Sequence, residues 1–186
     1  RRSVPFPGCG MSVIYQRVAL IGLGLIAGSM AYAMRRAGLA GEIVGTARSE
    51  ETRRVAAEIG FCDRIEDTAT LAVKGADLVV LCVPVGAMAS VAAEIGPALS
   101  PGATVTDVGS VKRDVIASVG PHLPEGVHFV PGHPLAGTEH SGPRSGFAEL
   151  FDNRYTLLPP LPDGDPDATA RLRRFWEGCG ANVEEM

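Results

Sequence analysis

Short, wholly apolar runs alternate along this chain with longer segments whose apolar residues recur every three or four positions. Arg17-Val-Ala-Leu-Ile-Gly22 is the first apolar run and reads as a buried strand. Small, helix-favouring residues follow from Leu25 to Ala37, and Gly38 is a stop signal. Further strands are predicted at Glu42–Gly45, Asp77–Val83, Thr104–Asp107, His128–Val130, Tyr155–Leu158 and Ala181–Glu184. Helices are predicted at Glu50–Ile59 (closed by Gly60), Ala87–Leu99, Lys112–Val119 and Ala168–Gly178. Strands that are apolar on both faces and alternate with helices predict an α/β fold, doubly wound around a mainly parallel sheet.

Domain organisation follows from where the pattern begins and ends. Residues 1–16 carry Pro5, Pro7, Gly8 and Gly10 after a basic start, and no continuous apolar stretch. They read as a disordered leader, with Met11 a plausible start, and not as a signal peptide. The folded domain is expected over 17–186. The stretch from Pro159 to Pro166 reads as a surface loop. The chain stops at Met186 directly after a predicted strand, with no polar tail, so more sequence is expected beyond it.

Composition narrows the functional classes. Of 186 residues 46% are hydrophobic and 20% charged, enough apolar surface for a core. The net charge of -4 comes without a basic tract, which argues against nucleic-acid binding. No apolar run is long enough for a membrane span, and a cytoplasmic location is the default. Cys9, Cys62, Cys82 and Cys179 show no paired spacing, so neither a metal site nor a disulfide framework is expected. Cys82, inside an apolar run, reads as a small buried hydrophobe.

The chemistry lies at strand ends. Gly22-Leu-Gly24-Leu-Ile-Ala27-Gly28 fits G-x-G-x-x-G/A directly after a strand and before a helix, the Rossmann dinucleotide-binding context. Gly22 permits the tight turn, Gly24 lets backbone approach a pyrophosphate, and Ala27 allows helix and strand to pack closely. Gly22, Leu23, Gly24, Leu25 and Ile26 are therefore expected cofactor contacts at the positive end of a helix. An acid that would bind the ribose of NAD is missing after the second strand, where Ala47, Arg48 and Ser49 stand. Arg48 is either a clamp for a 2'-phosphate, with Ser49 and Arg53 assisting, or a solvated surface side chain. The first reading favours NADP over NAD. Val83 and Pro84, at the end of the next apolar strand, complete the expected cofactor contacts.

Two more segments fall beyond strand ends: Asp107-Val-Gly-Ser-Val-Lys112 and Gly132-His-Pro-Leu-Ala-Gly-Thr-Glu139. His133 is held between glycine and proline, either poised for proton transfer or capping a loop carbonyl. Asp107 reads as a strand-end residue bonding nearby backbone, and Lys112 as a partner for a substrate carboxylate or a solvent-facing residue. His122 and His128 read as surface residues, and His140 as a mouth or surface residue.

With GLGLIAGS at Gly22–Ser29, DVGSVK at Asp107–Lys112 and GHPLAGTEHSG at Gly132–Gly142, the sequence resembles the prephenate and arogenate (cyclohexadienyl) dehydrogenases of tyrosine biosynthesis. The resemblance runs from about Arg17 to Met186. It implies oxidative decarboxylation of prephenate or arogenate with hydride transfer to NAD(P). It implies that His133 is the catalytic histidine that takes the ring-hydroxyl proton, that Ser110 contacts the same hydroxyl, and that Thr138 and Glu139 lie at the substrate mouth. It also implies an all-helical second domain, absent from these residues, that supplies a homodimer interface and part of the substrate site. Two other readings stand beside it: another small-molecule NAD(P)-dependent dehydrogenase or reductase, and a non-catalytic NADP-binding module.

Overall fold

The computed structural model describes residues 12–186. The assignment of a leader and of Met11 as the start concerns residues that largely lie outside that range, as does Cys9. The domain begins earlier than the apolar pattern indicates. Strand β1 spans Tyr15–Ile21, so Tyr15 and Gln16 belong to the sheet and not to a leader. Arg171 secures this start, donating from Nε to the Ile14 carbonyl at 2.9 Å and lying over the Tyr15 ring.

The elements that follow are α1 (Leu25–Ala37), β2 (Ala40–Thr46), α2 (Glu50–Ile59), β3 (Arg64–Ile65), α3 (Ala69–Val73), β4 (Leu78–Leu81), α4 (Val85–Ile95), β5 (Thr104–Asp107), α5 (Lys112–Val119) and β6 (His128–Phe129). Beyond them lie β7 (His133–Pro134), β8 (Tyr155–Leu157), α6 (Pro166–Gly178) and β9 (Asn182–Glu184). Helices α1 and α2 end at Gly38 and Gly60, both in the left-handed conformation that glycine adopts without strain. Helix α4 starts at Val85, right after Pro84, and stops at Ile95. There Gly96-Pro97 tightens the chain into a 3-10 turn, shortening the expected helix. Helix α6 begins at Pro166, not Ala168, because the Asp165 carboxylate accepts the N–H groups of Asp167 and Ala168.

Six parallel strands form the main sheet in the order β3-β2-β1-β4-β5-β6. Side chains alternate across it. Val18, Leu20, Leu78 and Val80 face α1 and α6, while Ala19, Ile21, Val79 and Leu81 face α3, α4 and α5. Both faces are covered, which explains why these strands read as unbroken apolar runs.

Two features depart from the expected layout. The short β3 and α3 carry no apolar run long enough to announce them. Strands β8 and β9 do not extend the parallel sheet either. With β7 they form a separate three-stranded sheet, antiparallel between β7 and β8 and parallel between β8 and β9. Apolar alternation identifies a strand but not its sheet.

Trp176 fills the layer between α6 and the rest, with its ring edge-on to Phe151 at 5.1 Å and to Phe175 at 6.0 Å. We predict that Trp176→Ala costs about 3–5 kcal/mol of folding stability, a large share of a typical total of about 5–15 kcal/mol. A urea midpoint series checks this, and a loss below about 1 kcal/mol would mean the cavity collapses without cost.

Candidate cofactor and active site

The sheet order reverses direction between β1 and β4, where a crevice opens beyond the carboxyl ends of the strands. Gly22 closes β1 with φ +99°, and its N–H donates to the Thr46 carbonyl at 2.9 Å. A Cβ there would lie 2.7 Å from the Cys82 carbonyl oxygen, so only glycine fits between the two strand ends. Gly24 is the N-cap of α1. It provides no side-chain cap, and the first turn holds no acid. The first N–H groups of α1 therefore lack partners within the helix. A Cβ on Gly24 would meet nothing within 4 Å, which leaves an open cradle where a pyrophosphate would lie. The residues fit a dinucleotide.

Beside this turn is a cleft of about 660 Å³ lined in part by Gly22, Ala47, Arg48, Val83 and Pro84, five of the expected contacts. Leu23 is buried in the core, and Leu25 and Ile26 pack against it. Leu23 can therefore serve a cofactor only through its backbone, while Leu25 and Ile26 are partly exposed. Arg48 is exposed and, among the described residues, forms no ion pair. Ser49 is the N-cap of α2, its hydroxyl accepting the Thr52 N–H at 3.2 Å, which leaves its own proton free to donate. Arg53 is not a second free cation. It donates to the carbonyls of Ala47 and Arg48 at 2.7 and 3.0 Å and lies 3.9 Å from Asp67. Asp67 and Glu94 also line the cleft, and neither stands where a strand-end acid is expected.

Cys82 is half-buried, and burial pushes its thiol well above the ordinary range, consistent with an inert residue. Cys62 and Cys179 are buried, unpaired thiols. Among the described residues no cluster of His, Cys, Asp or Glu is arranged for a metal ion, and no helix is long and apolar enough to cross a membrane.

Ser110 is exposed in the loop between β5 and α5. His133 is the first residue of β7, paired with Leu157 and half-buried. The two loops are joined through Asp107, the fully buried last residue of β5, whose Oδ1 accepts the Gly132 N–H at 3.1 Å. Burial holds the His133 imidazole below its ordinary 6.5. The Lys112 charge lowers it further and Asp107 opposes both. Lys112 is neither solvent-facing nor free for a substrate carboxylate, because it is bound to Asp107 and donates to the Gly132 carbonyl at 2.6 Å.

Thr138 and Glu139 lie on the exposed loop after β7. The Thr138 hydroxyl accepts the His140 N–H at 3.1 Å, and Glu139 is 3.5 Å from His140 Nε2. His122 is exposed, while His128 is half-buried with Nδ1 3.6 Å from Asp165. Past this loop the chain folds back onto α1. A Cβ on Gly146 would lie 2.9 Å from the backbone at Gly28 and Ser29, and the Phe147 N–H donates to the Ser29 hydroxyl at 3.0 Å. Neither Ser29 nor Gly146 carries a local signal of this contact, because the hydrogen bond beside it joins residues 118 positions apart.

The strand order, the glycine turn at the switch point and the cleft beside it define a Rossmann-type dinucleotide-binding domain. Residues 30–185 match the family described as prephenate dehydrogenase, nucleotide-binding domain, and the chain belongs to that family. Among curated proteins it is 40% identical over 173 residues to a cyclohexadienyl dehydrogenase of Zymomonas mobilis, covering 93% of this chain and 59% of that protein. Among solved structures it resembles arogenate dehydrogenase of Synechocystis, with a TM-score of 0.83 and 31% identity over 92% of this chain and 59% of that one. It also resembles prephenate dehydrogenase of Aquifex aeolicus solved with hydroxyphenyl propionate and NAD+, with a TM-score of 0.79 and 31% identity over 92% and 59% of the two chains. The chain spans 59% and 48% of the length of two curated relatives that it matches, the Zymomonas mobilis protein and a prephenate dehydrogenase of Bacillus subtilis.

Proposed function

We propose that this chain is the nucleotide-binding part of an enzyme that oxidises and decarboxylates prephenate or arogenate, with NADP as the preferred cofactor. The observation that carries the reading is that an open glycine cradle follows β1 and that a half-buried histidine with a depressed pKa is tied, through Gly132 and Asp107, to the carboxyl end of β5 in the same sheet. A bound nicotinamide dinucleotide supplies the hydride acceptor. The Gly22–Ile26 backbone holds its pyrophosphate, and Arg48 with the Ser49 hydroxyl grips a 2'-phosphate.

His133, neutral near pH 7, accepts the proton of the ring hydroxyl through a ring nitrogen as that oxygen becomes carbonyl-like. Ser110 orients the hydroxyl toward it, and Thr138 and Glu139 border the substrate. Cationic groups for the substrate carboxylates come from the helical part of the protein, which also forms a homodimer. The NADP preference rests on two features: Arg48 lines the cleft without an ion pair among the described residues, and no acid stands at positions 47–49 directly after β2.

Titration of the chain with NADPH and NADH tests this. Tighter NADPH binding is expected, with Arg48→Ala raising the NADPH Kd about tenfold or more and leaving that of NADH within about twofold. Unchanged NADPH binding by Arg48→Ala would make Arg48 a bystander, equal loss for both cofactors would place it on a part they share and not on a 2'-phosphate, and NADH preference would reassign the cofactor to NAD.

A further inference from the structure

Asp107 and Lys112 take no part in the steps above, yet they sit between the two residues that do. Asp107 is fully buried at the end of β5. A buried carboxylate must find donors for its oxygens. Oδ1 accepts the Gly132 N–H at 3.1 Å, and Oδ2 accepts the Gly109 N–H at 2.8 Å together with the Lys112 ammonium. The Lys112 side chain is 16% exposed, and its Nζ also donates to the Gly132 carbonyl at 2.6 Å.

Both polar backbone atoms of Gly132, the residue before His133, are thus held by one ion pair. The same pair closes the loop 107–112, which carries Ser110. Gly132 itself admits no side chain, since a Cβ there would lie 2.9 Å from the Asp107 carbonyl oxygen. A buried ion pair gains little net stability over an apolar pair of similar volume, so its benefit here is geometric.

We propose that Asp107 and Lys112 are positioning residues that lock the Ser110 and His133 loops into one frame for proton removal. The proposal rests on the reading of His133 as the base. The charged groups that act on His133 are these same two, Lys112 lowering its proton affinity and Asp107 raising it.

The test combines NMR titration of the His133 ring in this chain with steady-state kinetics of the complete enzyme. The His133 resonance is identified by its loss in His133→Asn. Lys112→Met is expected to move the His133 titration upward and to lower kcat/KM about 100-fold, mainly through kcat, with dinucleotide Kd unchanged. Lys112→Arg should return the titration toward the wild-type position.

Because Lys112→Met leaves a buried carboxylate without its cation, Asp107→Asn/Lys112→Met removes both charges and protects the fold. It should still lose most of kcat/KM. Wild-type titration of His133 in folded Lys112→Met, or full kcat/KM in the folded double variant, overturns the positioning pair alone. Undiminished turnover of His133→Asn would instead overturn the assignment of the base, and the pair with it.

Discussion

Replacing His133 by asparagine is expected to lower kcat of the complete enzyme by about 10²- to 10⁴-fold, the range for loss of a general base. Asparagine can still hydrogen-bond a hydroxyl but cannot take its proton at neutral pH. The dinucleotide Kd should stay within about twofold, because the cofactor cradle is built by β1, α1 and β2 and not by the His133 loop.

The pH profile gives a second readout with a definite sign. Burial, and then the Lys112 charge, disfavour the imidazolium, with Asp107 opposing, so the folded-state pKa lies below 6.5. The reactive form is neutral imidazole. Hence kcat/KM should be flat at neutral pH and fall only as pH drops through that depressed value. His133→Asn should erase this acid limb. A limb centred at or above 6.5, or a His133→Asn enzyme with near wild-type kcat, would place the base elsewhere. The same depression affects stability: the unfolded chain takes up the proton first, so folding stability contributed at neutral pH is lost as pH falls below 6.5.

The second large effect is expected from Gly22→Ala, read against Gly24→Ala. At Gly22 the added Cβ meets the Cys82 carbonyl oxygen at 2.7 Å and carbon at 2.9 Å, and φ is +99°. Backbone cannot swing away as a side chain can, so β1 and β4 must separate at the switch point. A stability loss of at least about 2 kcal/mol is expected from the backbone strain and the clash together, with loss of dinucleotide binding. At Gly24 the added Cβ meets nothing within 4 Å, and φ is −106°.

That variant should keep its melting temperature. It should nevertheless bind NADPH at least about tenfold more weakly, because the methyl group occupies the cradle. Thermal melts and calorimetry on both variants separate the two effects. Wild-type NADPH binding by Gly24→Ala would mean that the pyrophosphate does not rest on this turn.

Much of this follows from residues near one another in the chain. The bounds of α1, α2, β5 and α5 agree with the apolar periodicity and the glycine stops, because helix initiation and termination depend on groups within about one turn. The doubly wound sheet is implied by strands apolar on both faces, and Gly22, Gly24 and His133 stand out through their motifs. Elements whose reason lies far along the chain were not legible. Strand β3 exists because Arg64 and Ile65 meet Val44 and Gly45, not because of its own pattern.

The start of β1 at Tyr15 depends on Arg171, and the second sheet depends on the chain returning to pair His133 with Leu157. In the cleft, Asp67 lies near Arg53 and shares the lining with Arg48 only because β3 runs beside β2. Lys112 looked like a residue for solvent or substrate until the fold placed Gly132 against Asp107. The sequence alone therefore determined the layered α/β architecture and the glycine turn, since each rests on local geometry and side-chain type, while its resemblance to the family is what singled out His133 as the candidate base. Tertiary structure alone decided the Asp107–Lys112 clamp, the neighbours of Arg48 and the depressed proton affinity of His133, because burial and charge act through distances that only the folded chain creates.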